Sequence, residues 1–405
     1  MTGAHATWQP TDIKPHTPRT SLDRNHIAQL DHSYRLEEVA KVVGMSALFV
    51  RKTTGQKEFL TPQHVLHLLD LDAFKETIVP RSKVISYLTT THNAVQERNF
   101  IPNPPNYDLR LGNALDLIGT IPTSTVQCAI TSTPYWGTRI YEDPQATPWA
   151  DGEICPYGLE QTPEGFIRHT TEVMDSLAQV ITDDGSIWWN VMDSFNTRTQ
   201  IRNSAAEALR AMEGKDDRKW EEHFLRRYSA GHSYLKDGEQ CLIPALIAER
   251  ASQIGLYVKS IITWAKRSTL PEPHNSRVSR GLEYVIHITK TRTPKFDKRI
   301  YLTADKQYGG RDESYEAEKL SDVWVLNTST GGNGHGAQFP TALPGRCIAL
   351  STEPGDLVLD PFVGSGNSGL AALHHGCSFL GFDISQTYLS IAKDRLETAT
   401  RYLNY

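Results

Sequence analysis

The chain has 405 residues, of which 39% are hydrophobic and 22% charged, and its formal net charge is −5. These values are typical of a globular protein and exclude collagen-like, disulfide-rich and strongly basic chains. No apolar run approaches the roughly 18 residues that a membrane span needs, and residues 1–30 are polar, proline-rich and expected to be disordered. The five cysteines form no C-x-x-C pair, so we expect reduced thiols, a cytoplasmic protein and no metal site.

Residues 31–100 are expected to form a separate helical domain. Apolar residues recur at helical spacing from Leu36 to Val43, Gly44 interrupts the pattern, and Ser46 is placed to cap a second helix. Two short helices crossing at small residues are typical of a helix-turn-helix. The following KEFL and Thr61-Pro62 resemble the wing and next helix of winged regulators of the mercury-resistance type. This domain is interpreted either as a DNA-contacting unit or as a plain helical packing domain.

After a linker at 102–105, residues 105–405 alternate between strand-like and helix-like segments, which predicts an α/β sheet. A charged stretch at 196–236, helical in pattern, aligns with no strand and is interpreted as an insertion. The predicted strands are 126–131, 186–191, 258–264, 284–289, 357–360 and 378–383, and the predicted helices 163–181, 242–255 and 368–375.

A glycine-rich loop stands near the end of the chain, in LVLDPFVGSGNSGLAALHHGCSFLGFDIS. A strand enters Gly364-x-Gly366-x-x-Gly369, a helix follows, and the next strand ends at Asp383. Glycines allow close backbone approach to a ligand, and an acid about 20 residues later can accept hydrogen bonds from ribose hydroxyls. Only 22 residues follow Asp383, too few for the rest of a dinucleotide domain, and Asp360 beside the loop suits an amino-acid ammonium group. Both features favour S-adenosylmethionine as the ligand.

The segment TSTPYW, residues 131–136, follows the apolar strand VQCAI. Taken alone, it fits an ordinary turn, a platform on which a planar ligand stacks, or a site that grips a reactive amino group.

Together and in this order, TSTPYW and DPFVGSG with FDIS resemble the beta class of DNA amino-methyltransferases. The resemblance covers about residues 107–398 and includes LGNALDLI, GSIWWNVMDSF and FPTALPGRC. In that class the catalytic motif comes first and the cofactor motif last. The resemblance therefore implies a doubly wound, circularly permuted Rossmann-like sheet. It also implies methyl transfer from S-adenosylmethionine to a base flipped out of double-stranded DNA.

The resemblance assigns roles to the residues of TSTPYW. The Ser132 hydroxyl and the Thr133 carbonyl accept the two hydrogens of the target amine, Pro134 follows, and Tyr135 stacks on the base. Serine at the first position accompanies cytosine-N4 methylation in the class, whereas aspartate or asparagine usually accompanies adenine-N6 methylation. Thr133 departs from the proline that the class has there, although Pro134 still favours an extended backbone before it.

Further residues are assigned by the same resemblance. Asn190 and Asp193 are expected to line the cleft, with a helix cap as the alternative for Asp193. Trp264, Lys266 and Pro271 are expected to flank the flipped base. Arg346 lies in the segment that cradles the methionine end, with pairing to a surface acid as the alternative. The expected cofactor-binding residues are Asn113, Phe339, Pro340, Asp360, Pro361, Phe362, Gly364, Ser365, Gly366 and Asp383.

The region 256–311 is basic, with 12 Lys and Arg against four Asp and Glu, as expected where phosphates are bound. The residues expected to contact DNA are Arg277, Arg280, Lys290, Arg292, Lys295, Lys298 and Arg299. The sequence thus predicts a cytosine-N4 DNA methyltransferase, associated in its class with a cognate restriction endonuclease. Adenine-N6 methylation, and a DNA-binding regulator that has lost turnover, remain as alternatives.

Overall fold

The structure, a computed structural model, describes most of the chain. The described residues are 28, 33–77, 79, 81, 83–85, 87–88, 106–137, 144–196, 199–201, 225–227, 235–267, 269, 275–328 and 339–403. The expected disordered segment 1–30, apart from Ala28, and the expected linker 102–105 lie outside them.

The N-terminal unit contains the two short helices that the sequence predicts. Its elements are β1 Tyr34–Arg35, α1 Leu36–Val43, α2 Ala47–Thr54, β2 Phe59–Leu60, α3 Pro62–Leu69 and α4 Asp72–Lys75. Gly44 ends α1 with a φ of 69°, a left-handed conformation that glycine adopts without strain. The Ser46 hydroxyl caps α2 by accepting a hydrogen bond from the amide of Phe49 at 3.2 Å.

A short antiparallel ladder closes this unit. β1 pairs with β2 through only two residue pairs, Tyr34 with Leu60 and Arg35 with Phe59. The segment expected to be a wing therefore has a two-residue strand among the described residues, and α3 begins at Pro62 directly after it. The helices and the ladder bury an apolar cluster of their own. A DNA contact by this unit stays a prediction.

A mixed eight-stranded sheet forms the centre of the remaining chain. Its strands are β3 Tyr107–Leu111, β4 Val126–Ser132, β7 Ile181–Val191, β10 Tyr257–Lys266, β11 Leu282–Thr289, β12 Val323–Leu326, β13 Leu357–Asp360 and β14 Ser378–Asp383. Their order across the sheet is β12-β10-β11-β7-β4-β13-β14-β3. The strands from β7 to β3 in that order are parallel, and β11 runs antiparallel to both of its neighbours. The carboxyl ends of β4 and β13 are therefore adjacent, where a ligand crevice is expected in an open α/β sheet.

Helices cover both faces of the sheet. The helices are α5 Ala114–Ile118, α6 Pro163–Val180, α7 Ile243–Gln253, α8 Ile300–Thr303, α9 Ala342–Ser351, α10 Asn367–His374 and α11 Gln386–Leu403. Residues of α5, α6 and α7 share one apolar cluster with the sheet, and residues of α9, α10 and α11 share the other. Neighbouring strand residues belong to different clusters, as Trp189 and Trp188 do, because successive side chains point to opposite faces. The expected doubly wound α/β architecture is confirmed.

Some elements differ from the sequence prediction. β7 begins at Ile181, five residues before the predicted start, and β3 and β12 were not predicted as strands. Two further antiparallel ladders join β5 Thr147–Pro148 to β6 Ile154–Cys155 and β8 Thr199–Ile201 to β9 Leu225–Arg227. The second ladder lies in the expected insertion, so its helical prediction was wrong for these residues. Across the described residues, no helix combines the length and the apolar character that crossing a membrane demands.

A buried ion pair joins α9 to the loop before β12. The Arg346 guanidinium contacts the two carboxylate oxygens of Glu316 at 2.6 and 2.8 Å and donates to the carbonyls of Gly309 and Gly310. Arg346 and Glu316 are 1% and 7% exposed. The Arg346 guanidinium is therefore hydrogen-bonded inside the protein core. These contacts are structural and differ from the expected role of Arg346 in holding a ligand.

Replacing Arg346 with Met should lower the free energy of unfolding by about 3–5 kcal/mol, because the Glu316 carboxylate would stay buried without its partner. Urea denaturation of full-length protein measures the change. The double variant Arg346→Met with Glu316→Leu should lose less than the single variant, since no charge is then left unpaired. A double variant less stable than Arg346→Met would contradict this account.

Candidate active site

A cleft lies at the carboxyl ends of the parallel strands. Its walls include Ser132 and Pro134 after β4, Phe362 and Gly364 after β13, and Asp383 at the end of β14. The two motifs that the sequence predicts to act together therefore face one cavity. The other lining residues are Gly112, Asn113, Ala114, Leu115, Pro144, Gln145, Thr147, Trp149, Pro156, Tyr157, Leu159, Val173, Phe339, Pro361, Val363, Ser365, Asn367, Ile384, Ser385 and Tyr388.

A buried carboxylate connects the two motifs. Asp360 accepts a hydrogen bond from the Thr131 hydroxyl at 2.7 Å, from the Phe362 amide at 3.0 Å and from the Ser368 hydroxyl at 2.5 Å. Burial raises the pKa of Asp360 to about 6, although these donors oppose the shift. Asp360 is 1% exposed and does not line the cleft. The expectation that it faces the ligand is therefore corrected, because its oxygens hold the ends of β4 and β13 together.

The glycine loop is fixed by the acid that the sequence singles out. Asp383 accepts hydrogen bonds from the amides of Gly364 and Ser385, each at 2.9 Å. Gly366 precedes α10 with a φ of 87°. An added Cβ at Gly369 would lie 2.8 Å from the Phe379 ring, so glycine allows α10 to pack closely on β14. The loop thus has the strand–turn–helix geometry of a nucleoside-binding loop.

The lining of the cleft fits a nucleoside that carries an amino acid. A carboxylate offers about four lone-pair positions, so Asp383 can accept from ribose hydroxyls in addition to the backbone amides. Phe362, Phe339 and Leu115 supply apolar surface for a base. The expected cofactor residues that line the cleft are Asn113, Phe339, Pro361, Phe362, Gly364, Ser365 and Asp383, whereas Pro340, Asp360 and Gly366 do not.

Asn113 has structural contacts as well as its place in the cleft wall. Its side-chain oxygen caps α5 by accepting from the Leu115 amide at 2.9 Å, and its amide donates to Thr147 at 2.8 Å. Its position is therefore fixed independently of any ligand.

A hydrogen-bond network surrounds the Ser132 hydroxyl. Ser132 Oγ lies 3.1 Å from the Tyr135 hydroxyl, which donates to Glu283 Oε2. The Asn190 amide nitrogen lies 3.3 Å from Ser132 Oγ, 2.7 Å from the Tyr135 hydroxyl and 2.8 Å from Glu283 Oε2. The Lys266 ammonium contacts Glu283 Oε1 at 2.5 Å. The expected cleft residue Asn190 thus contacts Ser132, and Lys266 is joined to this network through its ion pair with Glu283.

Glu283 is a functional candidate that the sequence reasoning missed. It belongs to β11 and is 6% exposed. The available signal was an acid within LEYVIHIT, because a carboxylate inside an apolar strand needs a buried partner.

Two other expected site residues have structural roles. Asp193 accepts from the amides of Leu242 and Ile243 at 3.1 and 2.9 Å and therefore caps the start of α7, the alternative left open by the sequence. The Trp264 indole is 2% exposed and donates to the Leu326 carbonyl at 3.1 Å, so it packs in the core. Pro271 lies outside the described residues.

Arg277 and Arg280 lie near the carboxyl end of β7. Arg280 donates to the Asp193 carbonyl at 3.2 Å, and the Arg277 guanidinium lies 3.9 Å from the Phe195 ring. Phe195 and Asp193 follow the carboxyl end of β7. Both arginines are therefore placed on the side of the sheet that carries the cleft.

The remaining expected DNA contacts are placed elsewhere. Lys290 donates to the carbonyl of Ile181, the first residue of β7, and Lys295 pairs at 3.0 Å with Asp356, which precedes β13. Arg299 pairs with Asp297 at 2.7 Å. These residues follow the carboxyl end of β11, which lies beside the amino end of the antiparallel strand β7. The structure does not bring Lys290, Arg292, Lys295, Lys298 and Arg299 to the cleft.

Comparisons with known proteins agree with this geometry. Residues 126–394 match the N6_N4_Mtase family model, described as DNA methylase. Type II methyltransferase M.Cfr9I of Citrobacter freundii is 30% identical over 71% of this chain and 86% of its own length. M.XycI of Xanthomonas campestris pv. cyanopsidis has the same identity and coverage. The solved PvuII DNA methyltransferase (cytosine-N4-specific) has a TM-score of 0.50 and 19% identity, over 76% of this chain and 95% of that one, which supports the fold.

Affinity for S-adenosylmethionine should fall as the pH drops through about 6. Burial raises the pKa of Asp383 to about 6, and only its ionised form accepts from two hydroxyl groups. Binding is then strongest above about pH 7 and weakens by at most about tenfold per pH unit well below 6. Calorimetric titrations from pH 5 to 8 measure this. Asp383→Asn should bind S-adenosylmethionine more weakly and lose the pH dependence that Asp383 causes. Asp360 titrates in both proteins, so any pH dependence that it causes is common to them. Equal pH profiles for the variant and the wild type would contradict the assignment of this dependence to Asp383.

Proposed function

The chain belongs to the N6/N4 family of DNA methylases. Within this family, we propose that it methylates the 4-amino group of cytosine in double-stranded DNA. The methyl donor of this methyltransferase is S-adenosylmethionine, and Asp383, Gly364, Phe362 and Phe339 are the residues proposed to hold it. One observation carries the proposal: the Ser132 hydroxyl faces the same cleft as the glycine loop and is hydrogen-bonded in a network that ends at a carboxylate.

The chemical problem is the low nucleophilicity of the target amine. Its lone pair is delocalised into the ring, and hydrogen-bond acceptors on both amino hydrogens favour a tetrahedral nitrogen with a localised pair. S-adenosylmethionine supplies an electrophilic methyl group when bound. The chain supplies the acceptors, and we assign them to Ser132 Oγ and the carbonyl of Thr133.

The network explains how a serine hydroxyl acts as an acceptor. The Tyr135 hydroxyl donates its hydrogen to Glu283 Oε2, so its oxygen is left to accept. The hydrogen of Ser132 Oγ is then directed to Tyr135, 3.1 Å away. One lone pair of Oγ accepts from the Asn190 amide at 3.3 Å, and the other is left for the incoming amine. Glu283 must accept the Tyr135 hydrogen for these donors to point in this order. The Lys266 ammonium, which contacts Glu283 Oε1, places a positive charge beside this carboxylate.

Tyr135 acquires a second role from these contacts. The expected stacking of a flipped base on its ring remains part of the proposal. Its hydroxyl, held by Glu283 and by Asn190 at 2.7 Å, fixes the ring before the base arrives. A fixed aromatic surface loses little conformational entropy on binding, which favours stacking.

The choice of cytosine rests on Ser132 and on the resemblance of its motif. The adenine-N6 reaction uses the same chemistry, usually with aspartate or asparagine at that position, and is the second candidate. Arg277 and Arg280 are the proposed phosphate contacts, because they belong to the side of the sheet that carries the cleft. The similarity to type II methyltransferases supports a cognate restriction endonuclease as a partner and the cytoplasm as the location.

The identity of the methylated base is testable directly. Purified protein incubated with duplex DNA and S-adenosylmethionine should produce N4-methylcytosine, identified by mass spectrometry of the hydrolysed nucleosides. Detection of N6-methyladenine would instead identify adenine as the methylated base, with the same type of methyl transfer. Cofactor binding with neither product would instead support a DNA-binding regulator without turnover.

Ser132→Ala should reduce kcat by about 10²–10³-fold, because one preorganised hydrogen-bond partner of the reacting group is lost. Its affinity for S-adenosylmethionine should stay within about twofold of the wild type, since the lost contact serves the base. Ser176→Ala is the matched control, as its hydroxyl bonds to the Glu172 carbonyl in α6. A Ser132→Ala rate close to that of the control would remove this hydroxyl from the mechanism.

Glu283→Gln and Tyr135→Phe should each lower kcat by about 10–100-fold, because either change breaks the chain of donors that orients Ser132. If both act through Ser132, the double variant should be no slower than the slower single variant. Single-turnover rates at saturating cofactor and DNA measure this, with Glu249→Gln in α7 as a control for loss of a surface carboxylate. Rates that multiply in the double variant would show that Glu283 and Tyr135 act independently.

A further inference from the structure

A second group of polar side chains lies beside the cleft and has no part in the proposed methyl transfer. The loop between β5 and β6 carries Asp151 and Glu153, β6 carries Cys155, and α6 carries His169. Single ligating atoms of Glu153, Cys155 and His169 all lie within 4.8 Å of one another. Carboxylate, thiolate and imidazole together are the donors that zinc binds in proteins.

The imidazole of His169 lies between carboxylates. Its Nδ1 is 2.9 Å from Glu160 Oε1, whereas its Nε2 is 3.3 Å from Asp151 Oδ2 and 3.7 Å from Glu153 Oε2. The His169 side chain is 1% exposed, and the Trp149 ring stacks on it at 4.1 Å. The ring orientation is therefore fixed from three sides.

The Nε2 atom of His169 faces two carboxylates, a position suited to a cation. The short contact at Nδ1 places the ring hydrogen there, directed at Glu160, so a neutral imidazole aims its Nε2 lone pair at two carboxylates. A proton on Nε2 would draw a carboxylate oxygen to about 2.7–2.9 Å. The observed 3.3 and 3.7 Å are longer. Two atoms bound to one zinc ion at about 2.0–2.1 Å and a tetrahedral angle stand about 3.3 Å apart. His169 Nε2 and Glu153 Oε2 are 3.7 Å apart, so a small adjustment of the partly exposed Glu153 side chain brings the pair to this spacing.

Glu160 provides an independent observation. It is 1% exposed, and its Oε2 has no hydrogen-bond partner among the described residues. A buried carboxylate with an unsatisfied oxygen is costly and calls for an explanation. Carboxylates of this kind regularly stand behind metal-bound histidines, where they fix the tautomer and strengthen the imidazole as a ligand.

We propose that Glu153, Cys155 and His169 bind one zinc ion. A carboxylate and a thiolate supply two negative charges, which balance the charge of the ion. Asp151 pairs with Arg168, whose Nε lies 2.6 Å away and whose Nη2 lies at the longer distance of 3.6 Å from Glu153 Oε2. The Glu153 side chain is 32% exposed, so the ion reaches the buried thiol and imidazole from the surface.

The zinc site would stabilise one wall of the cleft. The same segment contributes Trp149, Pro156 and Tyr157 to the cleft lining, and the Trp149 indole donates to the Cys155 carbonyl at 3.0 Å. Binding of the ion thus stabilises the folded hairpin and holds these rings in place. Its role is structural, so metal binding is independent of which base the protein methylates.

The test uses full-length protein treated with a chelator and then titrated with Zn²⁺ or Co²⁺. Wild-type protein should bind about one ion per chain, and Zn²⁺ should raise its Tm by mass action. Bound Co²⁺ should show the charge-transfer absorption of a cobalt–thiolate bond. Cys155→Ser should abolish that absorption, and His169→Gln should weaken binding at least tenfold. Cys377→Ser, which removes another buried thiol, should behave as the wild type.

Glu153→Gln keeps the test decisive if the buried variants fail to fold, because the partly exposed side chain is replaced by one of equal size. It should also weaken Zn²⁺ binding at least tenfold. Wild-type protein that takes up no stoichiometric metal overturns the proposal. So does binding that Glu153→Gln and Cys155→Ser retain at wild-type affinity, which would indicate an adventitious ion only.

Discussion

The active cleft depends on one buried carboxylate. Asp360 ends β13 and accepts a hydrogen bond at 2.7 Å from Thr131, the residue before Ser132 on the neighbouring strand β4. Its other donors are Phe362 and Ser368, in the glycine loop and α10. Burial opposes ionisation, and three donors aimed at two oxygens offset part of that cost. Because the donors come from both motifs, the Asp360 carboxylate sets the distance between the loop proposed to hold the cofactor and the hydroxyl proposed to accept from the base.

The central fold was largely predictable because its strands are apolar runs bounded by turn residues. β13 and β14 have the predicted bounds, and β4 extends one residue further, to Ser132. The missed edge strands β3 and β12 are short. β3 contains no buried residue and β12 only two, so they lack a continuous apolar signal. The N-terminal helix pair was predictable from local chemistry, since Gly44 and Ser46 act on the backbone next to them.

The contacts inside the site were less predictable, because they join residues far apart in sequence. TSTPYW predicts a serine that accepts a hydrogen bond from the target amine. Nothing in its spacing identifies Glu283, 148 residues after Tyr135, as the acceptor for the tyrosine hydroxyl. The cysteine pattern likewise predicted no metal site, because Cys155 stands alone in sequence. Its proposed co-ligands come from the preceding loop and from α6, and folding alone brings His169 beside Glu153. Sequence spacing detects ligands carried by one element better than ligands collected from several.

The basic region shows why charge counts along the chain do not locate a DNA-binding surface. The excess of Lys and Arg in 256–311 is contiguous in sequence, yet strand β11 places the residues just before it and those just after it at opposite ends of the strands. Lys290 and Lys295, after β11, are paired with acids near the starts of β7 and β13. Arg277 and Arg280, before β11, lie on the side of Ser132. In the proposed reaction, a flipped base reaches the Ser132 hydroxyl from the side where the parallel strands end. We therefore expect the duplex to approach that side, whereas the paired lysines at the opposite ends of the strands stabilise the fold.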